Sequence, residues 1–269
     1  MTETIKIETV VSDNFTMDYF RFGHGKDVLV ILPGLSVQSV MGAAEAVAEA
    51  YQTLTDDYTI YLFDRRKELP ETYSVKQMAQ DTAEALRITG LNRVNFFGAS
   101  QGGMIAMEIA ANHPELVKKL VLGSTTSRVT DEQYQTIAKW IQLAEHGEAE
   151  KLYLDFGQTI YPKNTFEQAK EMLIDAAKTV TDEDLNRFVI LAKGLKDFDV
   201  TKDLEKVVCP VLLLESKDDQ LLGPDAGPEV EKHLNGHTEF ELYLYEGYGH
   251  AAYDTAPDYK ERILRFLID

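Results

Sequence analysis

Cysteine is nearly absent from this chain: Cys209 is the only one in 269 residues. An internal disulfide is therefore excluded, which suits a reducing compartment and leads us to expect a cytoplasmic protein. Cys209 precedes Pro210 and an apolar run, so it is expected to be a structural thiol rather than a reactive one. Positive charge is also scarce, with 27 Lys and Arg against 45 Asp and Glu, a net charge of −18. Such a surface repels phosphate backbones and anionic lipid, so no nucleic-acid or membrane partner is expected, and anionic small molecules are disfavoured. The acidic residues are scattered, as at Glu45, Glu49, Asp131 and Glu148, which fits a solvated surface. No apolar run approaches the roughly twenty residues of a membrane span, so membrane insertion is not expected. The opening Met1-Thr2-Glu3-Thr4-Ile5-Lys6 lacks a basic segment followed by an apolar one, and no secretory signal is expected. Internal repeats, low-complexity tracts and long flexible linkers are missing too. So are metal-ligand clusters, phosphate loops and dinucleotide fingerprints, hence no cofactor or metal is expected.

What is present is an alternation of apolar strands and helix-period segments. Ile5 to Val11 and Phe15 to Phe22 read as a pair of opening strands. Asp27 to Leu32 is a continuous apolar strand, followed by an alanine-rich helix from Val40 to Tyr51 and a strand from Thr59 to Phe63. Ser74-x-x-Gln77 starts the next helix as a capping box. Continuous apolar strands separated by helices predict a mostly parallel sheet of about eight strands, buried on both faces.

From Thr130 to Phe198 strands disappear, and capping boxes stand at Thr130-x-x-Gln133, Thr165-x-x-Gln168 and Thr181-x-x-Asp184. The sheet resumes at Pro210 to Leu214, followed by a helix at Glu229 to Leu234, a strand at Phe240 to Tyr245 and a last helix from Pro257 to Leu267. The chain is thus read as an α/β core, 1–127 and 205–269, with a helical insertion, 128–204, between two sheet strands.

The most telling stretch is Gly98-Ala99-Ser100-Gln101-Gly102, which follows the strand Val94-Asn95-Phe96-Phe97 and leads into a helix. Gly-x-Ser-x-Gly in that context predicts a strained strand-to-helix turn with the serine hydroxyl pushed outward. Such a hydroxyl needs a base, usually a histidine oriented by a carboxylate, and the chain order is then Ser, acid, His. Of six histidines, His24, His113, His146, His233 and His237 are poorly placed. His250 leaves a strand in Gly247-Tyr248-Gly249-His250 and is expected to be the base. For the acid, the loop after Leu212-Leu213-Leu214 offers Glu215, Asp218 and Asp219, whereas Gly123-Ser124-Thr125-Thr126 at the preceding strand's exit offers none. The tetrahedral intermediate needs two N–H donors, expected from Gln101 and from Leu35 in Pro33-Gly34-Leu35-Ser36.

These residues together resemble the α/β-hydrolase fold superfamily over nearly the whole chain. The family's strand-to-acid motif aligns with Pro210 to Asp219 and implies that Asp219 is the acid and Asp218 a solvated neighbour, with Ser216 in place of the usual glycine. Pro33-Gly34 stands where the family often has His-Gly, and Asp64-Arg65 is similar to its Asp-x-Arg-Gly segment, read as a charged pair that orders a loop. Small bacterial members such as enol-lactonases, proline iminopeptidases and carboxylesterases are the most similar in look. The resemblance implies a serine hydrolase acting on a small, largely uncharged carboxylic ester or related acyl compound, while the oligomeric state, monomer or homodimer, is left open. Its helical insertion would be a cap over the site. Gly34, Trp140, Ile141 and Phe188 are candidate substrate contacts, with Tyr153, Phe156 and Tyr161 among the other apolar cap residues. Aminopeptidase, C–C hydrolase and perhydrolase chemistry could run on the same triad. An aminopeptidase would use a carboxylate such as Glu145, Glu148, Glu150 or Asp155 to hold an amine. A slow-turnover ligand sensor is the alternative of another class.

Overall fold

The computed structural model describes residues 4–234, 236 and 239–268; His237 lies outside them. Two opening strands, β1 (Ile7–Val11) and β2 (Thr16–Phe22), pair antiparallel, and β3 (Asp27–Leu32) follows. A 3-10 turn at Val40–Ala43 leads into α1 (Ala44–Ala50), and β4 (Tyr58–Arg66) runs past the expected Phe63 to carry Asp64 and Arg65. Helix α2 (Val75–Ile88) starts at Ser74 with the expected capping box. Then come β5 (Val94–Ala99), α3 (Gln101–Asn112) and β6 (Val117–Gly123). Four helices follow without a strand: α4 (Asp131–Glu145), α5 (Ala149–Ile160), α6 (Lys163–Ala177) and α7 (Asp182–Lys193). The chain returns to the sheet in β7 (Val211–Ser216), α8 (Ala226–Leu234) and β8 (Phe240–Tyr245), and ends in α9 (Ala252–Thr255) and α10 (Tyr259–Ile268).

Among the described residues the eight strands form one sheet in the order β1-β2-β4-β3-β5-β6-β7-β8. Pairing is antiparallel from β1 to β2 and from β2 to β4, and parallel across the rest. All six residues of β5 are buried, as a strand covered by helices on both faces requires. One face packs Val30, Phe96 and Leu213 against α2, α3 and the four-helix segment. The other packs Leu29, Phe97 and Leu214 against Tyr259 and Ile263 of α10. Strands β3, β5, β6, β7 and β8 lie side by side and parallel, so the loops at their C-terminal ends open on one edge of the sheet.

The four-helix segment leaves the sheet through a narrow neck, where Val129 N–H donates to Phe198 O at 2.9 Å and Val200 N–H to Ser127 O at 2.8 Å. Helices α4 and α7 carry the expected capping boxes at Thr130 and Thr181. The box expected at Thr165 does not form, because α6 already starts at Lys163 behind Pro162. Proline presets the backbone at a helix start, and the Pro162 carbonyl accepts from Phe166 N–H at 2.9 Å, so the first turn is complete before Thr165 could cap it. No described helix is long and apolar enough to cross a membrane.

Candidate active site

Strand β5 runs into α3 through Ser100, which holds φ 52° and ψ −119°. An L-residue adopts that conformation only under strain, and here the strain turns the hydroxyl away from the fold. Both neighbouring glycines are sterically required. A Cβ on Gly102 would stand 1.9 Å from Leu32 O, and one on Gly98 would stand 2.5 Å from Gly102 O. The turn is held by Ser100 N–H donating to Gly123 O at 2.8 Å and by the Thr125 hydroxyl donating to Ser100 O at 2.8 Å.

The loop after β8 brings His250 to this turn, with Nε2 3.0 Å from Ser100 Oγ and Nδ1 2.7 Å from Asp219 Oδ2. Asp219 is 4 % exposed, and its second oxygen accepts from Leu221 N–H at 2.8 Å and Leu222 N–H at 2.9 Å. Burial alone would raise its pKa. The charge of His250 and the three hydrogen bonds outweigh that and hold the carboxyl below its ordinary range. Asp218 is exposed but more than a solvated loop carboxylate: it accepts from Gly247 N–H at 2.9 Å and Gly249 N–H at 3.2 Å. It therefore ties the acid's loop to the loop that carries His250.

Gln101 opens α3, where the first N–H groups of a helix have no partner within it, and Leu35 lies in the loop after β3. Gly34 lets that loop close on the serine, since a Cβ there would sit 3.2 Å from Ser100 Cβ. Sequence reasoning missed what holds the pair of loops. Arg65, 3 % exposed, donates from one guanidinium nitrogen to Pro33 O at 2.7 Å and to Gln101 Oε1 at 3.2 Å. Burial lowers its pKa to about 10, Asp64 opposing. Gln101 Nε2 in turn donates to Leu191 O of α7 at 3.0 Å, and Arg187 of α7 pairs with Asp64 at 2.5 Å. The end of β4 thus clamps the loop of Leu35, the start of α3 and helix α7 to one another. The Asp64-Arg65 pair was readable as a motif; its partners, far apart in sequence, were not.

A chamber of about 30 Å3 lies over Ser100, lined by Gly34, Leu35, Trp140, Phe156 and Tyr253 among others. Of the expected contacts, Gly34 and Trp140 line it, while Ile141 and Phe188 do not. Those two are packed in the core beneath, 6 % and 0 % exposed, because they face inward on α4 and α7. On one side Leu221 and Leu222 separate the chamber from a polar cleft of about 450 Å3 near Arg128 and Gln133. On the other side Gly34, Leu35, Phe156 and Tyr253 adjoin a cleft of about 640 Å3 beneath α5 and α6. Helix α5 rests on the histidine's loop, with Ala251 N–H donating to Ile160 O at 3.0 Å. Cys209 is buried, which pushes its thiol up to about 12 and leaves it unreactive.

Beneath the acid, Glu215 is enclosed and accepts from Thr125 N–H at 2.8 Å. Burial lifts its pKa well above the carboxylate range, the hydrogen bond from Thr125 opposing and the charge of Asp219 adding.

The family model for the alpha/beta hydrolase fold matches residues 27–161. The chain is 25 % identical over 246 residues to "Putative carbamate hydrolase RutD" of Agrobacterium fabrum, covering 88 % of this chain and 93 % of the relative. Among solved structures it is similar to MGS-M2, an alpha/beta hydrolase enzyme from a Medee basin deep-sea metagenome library, with a TM-score of 0.86, 22 % identity and 97 % and 98 % of the two chains covered. It is also similar to the enol-lactonase from Burkholderia xenovorans LB400, with a TM-score of 0.83, 15 % identity and 97 % and 100 % covered.

Proposed function

Because the chain belongs to the α/β-hydrolase fold family, we propose that it is a serine hydrolase that cleaves small carboxylic esters or related acyl compounds through an acyl-enzyme. Ser100 Oγ attacks the carbonyl carbon while its proton passes to His250 Nε2, and Asp219 orients the imidazole and stabilises the imidazolium. The N–H groups of Leu35 and Gln101 take the charge that develops on the carbonyl oxygen. His250 then returns the proton to the leaving oxygen or nitrogen, and a water activated by His250 releases the acyl group. The observation that carries this reading is the relay from Ser100 Oγ to His250 to Asp219, at 3.0 and 2.7 Å.

The helical segment α4 to α7 acts in this reading as the cap. The chamber over Ser100 has room for little more than a water. The acyl and leaving groups must therefore extend into the flanking clefts, and the triad itself sets no demand on their charge. A carbamate carbonyl can be attacked in the same way, in keeping with the name of the relative from Agrobacterium fabrum. Aminopeptidase chemistry through a cap carboxylate is less well supported. Glu145 is paired with Lys193, Glu148 with Lys151, and Asp155 with Lys139 and Trp140 Nε1. None of these acids lines the chamber or the cleft beneath α5 and α6.

The test is hydrolysis of p-nitrophenyl acetate together with labelling by a fluorophosphonate. The natural protein should turn over the ester and be labelled once, at Ser100. Ser100→Ala should lose both while keeping its melting temperature, and an active, labelled Ser100→Ala variant overturns the mechanism.

A further inference from the structure

The cleft beneath α5 and α6 has a floor that neither the sequence motifs nor the relay accounts for. It is enclosed by the loop after β3, by α1, and by neutral side chains such as Ile31, Leu62, Ile160 and Leu173. Among the residues that line it, Asp254 alone is charged. Asp254 lies on α9, the short helix after His250, and its side chain is open to the cleft. Protein nonetheless surrounds it closely, and this burial raises its pKa above the ordinary carboxylate range, with the charges of Lys260 and His250 opposing. Among the described residues no hydrogen bond or ion pair reaches its carboxylate oxygens. Lys260 is near enough for its charge to act on Asp254, but its ammonium donates to Tyr253 O and stands 5.3 Å from the centre of the Tyr51 ring.

Three phenol rings share this neighbourhood. Burial raises the hydroxyls of Tyr51, Tyr161 and Tyr253, and in each the negative charge of Asp254 adds to the shift. An exposed carboxylate that is the one charge on an otherwise neutral cleft wall is a ready counter-ion for a ligand cation held beside it. Aromatic faces beside a carboxylate favour an organic cation, whose charge they attract while its carbon atoms pack against them. An anion would be repelled, and a purely apolar group would leave the carboxylate unpaired. The net charge of −18 also raises the local concentration of cations around the protein.

We propose that this cleft binds an organic ammonium group of the substrate, with Asp254 as its counter-ion and the chain between them leading the scissile carbonyl to Ser100. The site rests on the hydrolase reading above, and it replaces the uncharged substrate that the resemblance implies with a cationic one. The probes are choline and 3,3-dimethyl-1-butanol, which share a shape and differ in charge. Each is measured as an inhibitor of p-nitrophenyl acetate hydrolysis and by titration calorimetry. The natural protein should bind choline at least tenfold more tightly than the neutral alcohol. Asp254→Asn, or Asp254→Ser should the first not fold, should bring that ratio close to one. Equal binding by the natural protein, or a preference that survives both substitutions, overturns the proposal. Absence of ester hydrolysis would instead count against the hydrolase reading, because calorimetry scores the ammonium site without turnover.

Discussion

Asp218 and Asp219 are adjacent in sequence and make unrelated contacts. Asp219 binds the imidazole with one oxygen and the N–H groups of Leu221 and Leu222 with the other, whereas Asp218 binds those of Gly247 and Gly249. Asp219→Asn should lower kcat/KM on p-nitrophenyl acetate by about 10⁴-fold, because an amide stabilises neither the required tautomer nor the imidazolium. Asp218→Asn retains one acceptor and should stay within about tenfold, losing on the order of 1 kcal/mol of stability. Kinetics and thermal melts of the two variants check this, and the reverse ranking would refute the assignment. The loop contents alone left both aspartates open; only the family motif separated them. Asp254 was out of reach by either route, since an aspartate on the short helix α9 stands in no motif and its meaning depends on which cleft it lines.

Strand β4 does at the scale of an element what no single motif residue does. Its last turn reaches three other parts of the chain, through Arg65 to Pro33 and Gln101 and through Asp64 to Arg187 of α7. Arg65→Met removes the donor shared by the Leu35 loop and the start of α3, the two segments proposed above to hold the oxyanion. In steady-state kinetics kcat should fall about tenfold or more while KM changes little, since the loss is felt where charge develops. Circular dichroism should show the fold retained, and a change confined to KM would refute the clamp. Helix starts were legible wherever the cap is local, as at Ser74, Thr130 and Thr181. They misled at Thr165, where a proline just upstream had already set the backbone. The inward face of α4 and α7 was also misassigned at Ile141 and Phe188, because periodicity reveals an apolar stripe and not whether core or cavity lies against it.

Across the whole molecule, burial of Glu215 links stability to pH. Its carboxyl is raised in the fold above the unfolded value of about 4.3. Its contribution is therefore complete below that value and is lost as pH rises through the folded pKa. Glu215→Gln removes the titration and can still accept from Thr125 N–H. The melting temperature of Glu215→Gln minus that of the natural protein should grow between about pH 5 and pH 9. A difference that stays constant or shrinks would show that Glu215 does not titrate as its burial demands. The sheet's composition was legible because buried parallel strands are continuous apolar runs, while the order of its strands follows from pairings that no local pattern encodes.

That strand order has a temporal side. Ser100 and His250 are separated by 150 residues. At ordinary rates of synthesis the second arrives roughly eight to thirty seconds after the first. During that interval the hydroxyl at the end of β5 has no base beside it and is chemically an ordinary alcohol. Docking of β7 and then β8 onto the growing sheet delivers first the carboxylate and then the imidazole. The relay is thus completed late, after β5, β6 and the four-helix segment have been made, and a chain that stops short of His250 carries Ser100 in a harmless form.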